Sequence, residues 1–212
     1  MKRIIFLMVL SFTIEALASS NELNYRLTVK GNFKKSVHGK KYFPGNPHFS
    51  PVVGVSHNKF YRLFPKDTFA SKGVKIVAET GNPQELLSEL LEAQNKKSIL
   101  DYNTSAPFDG DETVSITLKV NKSNPYISLI TMIAPSPDWV VGVNFLKVIR
   151  NGKYLKRKVY PLYAIDAGTD SGKIYTSSDK PTRPQVKIKK LLKVGSKSVK
   201  DVPFAFLLVE KI

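Results

Sequence analysis

The chain has 212 residues, 33 Lys and Arg against 17 Asp and Glu, a formal charge of +16 and no cysteine. That length suits one domain with a real core. The missing cysteines exclude disulfides, thiolate catalysis, thiolate metal sites and lipid attachment through sulfur, and the charge favours anionic partners.

Residues 1–18 read as a signal peptide. Lys2 and Arg3 supply the charged start, residues 4–14 are apolar but for Ser11 and Thr13, and Ala16-Leu17-Ala18 has the small-x-small form of a cleavage site. The run is too short to span a bilayer comfortably, which places a retained anchor second. One domain over residues 19–212 is then expected, secreted or periplasmic. Losing Lys2, Arg3 and Glu15 leaves its charge one unit lower. No later stretch reads as a membrane helix.

Residues 23–29 alternate, with Leu23, Tyr25, Leu27 and Val29 on one face of a strand. Residues 31–45 read as loop, and 51–64 as two short strands around Ser56-His57-Asn58-Lys59. Residues 73–79 read as another short strand. One helix is predicted over 83–94. Asn82 can cap it, Pro83 suits its first position, and Glu85 stands three residues after the cap. Its stripe of Leu86, Leu87, Leu90 and Leu91 is expected to pack on the sheets. After a loop at 103–111, residues 113–120 alternate again. Residues 126–134 are nearly all apolar, as a central strand covered on both faces requires. Residues 173–176, 185–194 and 203–210 read as late strands. The pattern predicts an all-β fold: an antiparallel two-sheet β-sandwich with one short amphipathic helix.

The stretch 135–172 carries the chemistry. Asn151-Gly152 between apolar-rich runs is a hairpin signal. With these two as the loop, Arg150 pairs with Lys153 and Asp138 comes opposite Ile165, beside Asp166. Asp170 follows four residues on. Three carboxylates at one sheet end repel one another without a cation, and oxygen ligands favour a hard ion such as calcium. The plainer alternative is three solvated turn aspartates. Pro161 in the return strand implies an edge or a bulge.

Pro-Ser-Pro-Asp-Trp at 135–139 and Asp-Ala-Gly-Thr-Asp-Ser-Gly at 166–172 resemble signature strings of the spondin domain, the F-spondin amino-terminal (Spondin_N) type. His48-Phe49-Ser50-Pro51 with Ser56-His57-Asn58, and residues 70–74 leading to Ala78-Glu79, resemble upstream blocks of that family. The likeness spans roughly residues 23–190. It implies a C2-like sandwich with metal at its loop end, Asp138, Asp166 and Asp170 as calcium ligands, and work in matrix or cell adhesion. Without cysteines or appended repeats, the chain is expected to be a stand-alone exported member.

Other groups offer less. Asp109, Asp111 and Glu112 read as a solvated loop. His38, His48 and His57 lack the spacing of a zinc site. Ser50 or Ser56 beside a histidine lacks the strand–turn–helix setting of a hydrolase nucleophile, so no enzyme is expected. A metal-dependent hydrolase using the aspartates is the alternative. Trp139 is expected to pack at the loop end. Lys156, Arg157 and Lys158, with Lys187, Lys189 and Lys190, form the densest basic clusters. They suit an anionic polysaccharide, glycosaminoglycan or anionic lipid surface. Nucleic acid is not expected, since no stacking aromatics are laid out for it.

Overall fold

The computed structural model describes residues 22–212; the expected signal peptide lies outside them. In chain order come β1 (Leu23–Gly31), the single-turn α1 (Lys35–His38), β2 (His48–Phe49), β3 (Val53–His57), α2 (Lys72–Thr80) and α3 (Gln84–Asn95). Then follow β4 (Ile99–Thr104), β5 (Phe108–Asp109), β6 (Thr113–Val120), β7 (Tyr126–Ala134) and β8 (Trp139–Lys147). Next are β9 (Ile149–Arg150), β10 (Lys153–Tyr154), β11 (Arg157–Leu162) and β12 (Ile165–Asp166). Last are β13 (Lys189–Lys190), β14 (Lys193–Val194), β15 (Lys197–Ser198) and β16 (Ala205–Lys211).

Two antiparallel sheets form the sandwich. The smaller has the order β11-β16-β1-β6. The larger runs β13-β12-β8-β7-β2-β5, with β3 bridging β7 and β4. The alternation in β1 turns Tyr25, Leu27 and Val29 inward against Leu118, Ile127, Leu129, Trp139, Leu207 and Val209. The β7 run is apolar on both sides because both sides are covered. Ile127, Leu129 and Ile133 face the other sheet, while Ile130 faces a second cluster with Val53, Val77, Leu86 and Leu90. The helices therefore make a third layer on the outer face of the larger sheet.

The predicted helix is α3. Asn82 Oδ1 accepts the Gln84 N–H at 2.9 Å, so the expected residue caps it. Leu86 and Leu90 are buried, Leu87 is half-buried and Leu91 is exposed. Residues 73–79 are a helix, not a strand. Val74, Val77 and Ala78 bury one face at helical spacing, Ser71 Oγ caps the Val74 N–H at 3.2 Å, and Gly81 ends the helix at φ 72°. Residues 173–176 form a turn, and 185–194 contribute only β13 and β14.

The Asn151-Gly152 turn forms as predicted, with φ 50° and 72° and Arg150 opposite Lys153. The long ladder does not. After β10 the chain crosses to the smaller sheet, where β11 pairs with β16, and then returns to the larger sheet as β12. Asp166 consequently lies opposite Trp139, and Ile165 opposite Val140 instead of Asp138. Tyr25, on β1 of the sheet the chain crosses to, secures the crossing, its hydroxyl donating to the Leu155 carbonyl at 2.9 Å.

Candidate metal centre

The β7–β8 turn delivers Asp138. Ser136 Oγ accepts the Trp139 N–H at 3.1 Å, and Trp139 is buried edge-on against Tyr175, ring centroids 5.4 Å apart. The expected packing role of Trp139 holds, and it pins the preceding carboxylate at the sheet end.

The Asp-x-Gly-x-Asp-x-Gly spacing after β12 has a local cause. Asp166 Oδ1 accepts the Gly168 N–H at 2.8 Å, and Asp170 Oδ1 accepts the Gly172 N–H at 2.7 Å. Each carboxylate thus folds the chain back on itself two residues on. Gly168 has φ 77°, and a Cβ there would stand 2.3 Å from the Val186 carbonyl oxygen, so the first turn requires glycine twice over.

This loop wraps Asp138. Its Oδ2 accepts the N–H groups of Thr169 and Asp170 at 2.7 and 3.0 Å, and the Thr169 hydroxyl at 3.3 Å. The Ala167 N–H donates to its carbonyl. Asp138 is fully buried, and its Oδ1 has no hydrogen-bond partner. Burial pushes its pKa up to about 6; the Thr169 and Asp170 donors oppose that rise, and the Asp166 carboxylate reinforces it. A buried carboxylate oxygen with no donor is a costly arrangement that a cation would relieve.

The other two aspartates sit at the rim of a cleft of about 440 Å³, together with Trp139, Lys173, Lys189 and Lys193. Asp166 Oδ2 lies 3.5 Å from Lys189 Nζ. Asp170 Oδ2 accepts the Lys180 N–H. Among the described residues, no three acidic, histidine or cysteine side chains are gathered closely enough to hold a metal as they stand. The three predicted aspartates do lie at one sheet end, with Asp138 inside and Asp166 and Asp170 at the cleft. The donor set is oxygen throughout, as a hard cation prefers.

The basic clusters are divided. Lys156, Arg157 and Lys158 lie on and just before β11 of the smaller sheet, whereas Lys189 and Lys190 form β13 beside Asp166. Lys187 is exposed, and Ile188 between it and Lys189 is buried. Arg157 pairs with Glu210 at 3.6 Å, and Lys190 with Asp201 at 3.6 Å. The pairing of Lys189 with Asp166 was not legible in sequence, because it depends on which strand borders β12.

Two of the histidines, His38 and His57, are buried. His57 Nε2 lies 2.8 Å from Ser128 Oγ, with both residues fully buried. Neither Ser50 nor Ser56 partners it: Ser50 Oγ sits 3.2 Å from Thr131 Oγ1, and Ser56 Oγ donates to the Asp101 carbonyl. Asp109, Asp111 and Glu112 are exposed at a turn.

This architecture defines an all-β sandwich module with an aspartate-bearing loop end. The chain belongs to the Spondin_N family, whose sequence pattern matches residues 23–205. It is 35% identical to human Spondin-1 over 173 residues, covering 79% of this chain and 21% of that protein. It is 32% identical to rat Spondin-2 over 165 residues, covering 76% and 50%. Against Xenopus laevis Spondin-1 the identity is 31% over 213 residues, 94% of this chain and 26% of the relative. The chain thus spans about a fifth to a half of these relatives. Among the described residues, no helix is long and apolar enough to cross a membrane.

Proposed function

We propose that this protein is a secreted, calcium-binding adhesion module that attaches to an extracellular or matrix surface through an anionic partner. The observation that carries the cation is the orphaned, fully buried Oδ1 of Asp138, with Asp166 and Asp170 on the adjoining loop. Asp138, Asp166 and Asp170 would hold the ion. When bound it supplies positive charge that neutralises the three carboxylates and stiffens the loops around them. Membership of the Spondin_N family supports the extracellular, adhesive setting, and the formal charge of +16 supports an anionic partner.

A hydrolase draws no comparable support. The close Ser128–His57 pair is sealed in the core, and burial lowers the His57 pKa to about 4. The test is a melting curve of metal-stripped protein against calcium. A saturable rise that Asp170→Asn abolishes supports the reading. A flat response in wild type leaves the aspartates as turn residues only.

A further inference from the structure

A second cleft, of about 430 Å³, opens between the β9–β10 hairpin and β11. Its rim carries Lys147, Arg150, Lys153 and Lys158, with the rings of Tyr154 and Tyr160, and no carboxylate lines it. Ten ion pairs join other side chains of the described residues, yet none involves these four cations. All four are exposed. The cleft is built by the features that set this chain apart from a simple hairpin. The type I′ turn places Arg150 opposite Lys153, and the crossing of the chain to the smaller sheet swings Lys158 and Tyr160 round to face them.

We propose that this cleft is an anion-binding site for an acidic polysaccharide, with the four cations taking sulfate or carboxylate groups and the tyrosines taking sugar faces. Unpaired cations converging on one hollow repel one another, and an anion there removes the repulsion and gains charge-assisted hydrogen bonds. Arg150 adds a planar fork matched to oxyanions. Arg150 also lies close enough to Tyr160 to pull its phenol pKa down against the burial that raises it. Charge and ring therefore share one wall. Lys158 Nζ stands 5.1 Å from the centre of the Tyr160 ring, and Lys211 Nζ lies 5.2 Å from that of Tyr154. Rings with a polar tip beside cations suit a ligand that is part hydroxylated ring and part anion.

A concave site favours a glycan chain over a bilayer. The apolar residues lining it, Val148 and Leu155, are buried or half-buried, so it offers no exposed aliphatic wedge for lipid. The site rests on the anionic-partner reading above but not on the calcium reading, because its lining shares no residue with the cleft that holds Asp166 and Asp170.

The experiment is calorimetric titration of purified protein with a heparin octasaccharide, in calcium and in chelator. Fully desulfated octasaccharide and vesicles of mixed phosphatidylserine and phosphatidylcholine serve as further probes. Arg150→Glu with Lys153→Glu should weaken octasaccharide binding by about tenfold or more. Lys187→Glu with Lys190→Glu, the same charge change in the other lysine cluster, should change it by less than about threefold. Tyr160→Ala should weaken the octasaccharide but leave inorganic sulfate unaffected. Unchanged melting of the variants, or the milder Arg150→Gln with Lys153→Gln, guards against unfolding. Equal losses in both double variants would overturn the cleft and leave diffuse charge attraction. Binding to vesicles alone would overturn it in favour of a membrane. No binding of wild type to any of these anions would overturn the anionic-partner reading as well.

Discussion

The ammonium of Lys189 lies 3.5 Å from Oδ2 of Asp166, and the two residues are cross-strand partners between β13 and β12. A fixed cation thus stands at the carboxylate proposed to bind a mobile one. The pair is partly solvated, so it competes without closing the site.

Removing that competitor should help the ion. Lys189→Gln is expected to tighten calcium binding severalfold, because a positive charge next to a ligand carboxylate disfavours a second one. Calorimetric titration at low ionic strength reads this directly. Unchanged or weaker affinity would mean that Asp166 does not contact the ion.

Asp138→Asn separates the cost of the buried charge from the benefit of the ion. An amide oxygen can still accept the Thr169 and Asp170 N–H groups that Oδ2 accepts now, while the burial penalty on a carboxylate disappears. Metal-free Asp138→Asn should melt no lower than metal-free wild type at pH 7. Calcium at about a hundred times its dissociation constant should add ~2.7 kcal/mol to wild type, several degrees for a domain of this size, and nothing to the variant.

Acid should destabilise the metal-free protein, with opposed contributions. Burial lowers both His38 and His57 to about 4, whereas unfolded histidine titrates near 6.5. Their stability is present above the unfolded value and is lost as pH falls towards 4. Asp138 works the other way. Raised to about 6 when folded, it favours the fold below the unfolded carboxylate value near 4 and loses that contribution as pH rises through 6. Two groups outweigh one, so stability should fall between about pH 6.5 and 4. Asp138→Asn should make the fall steeper. Urea midpoints across that range measure both slopes, and a shallower fall in the variant would contradict the assignment.

Gly168→Ala tests the loop. With φ 77° and only 2.3 Å to the Val186 oxygen, an added methyl group should cost at least ~1 kcal/mol. It should also weaken calcium binding by displacing Thr169 and Asp170 from Asp138. Chemical denaturation with and without calcium measures both effects.

Sequence periodicity located β1, β6 and β7 because each is covered in a way its pattern records: one face for the first two, both faces for the third. It located α3 because Asn82 and Pro83 announce a start. It misread α2, since Val74, Ile76 and Ala78 alternate like a strand. What decides is the cap at Ser71, the stop at Gly81 and a sheet face waiting for Val74 and Val77. The Asn151-Gly152 turn was legible; the departure of β11 to the other sheet was not, because its partner β16 lies some fifty residues on. The aspartates announced themselves by spacing, and the structure supplies the reason in two successive side-chain turns. The cleft at β9–β11 escaped notice because Lys147, Arg150 and Lys153 converge only once the hairpin has formed.

The order β11-β16-β1-β6 puts the first and last described strands side by side at the centre of the smaller sheet, with Tyr25 opposite Lys211. Only the seven-residue β16 joins β11 to β1, because it pairs with both. Without β16, β1 would keep β6 as its partner but lose its other neighbour, and β11 would have no partner in this sheet. The smaller sheet is thereby closed by pairing between segments far apart in sequence, a topology that slows folding. A cut within β16 would therefore release the strands on both its sides at once.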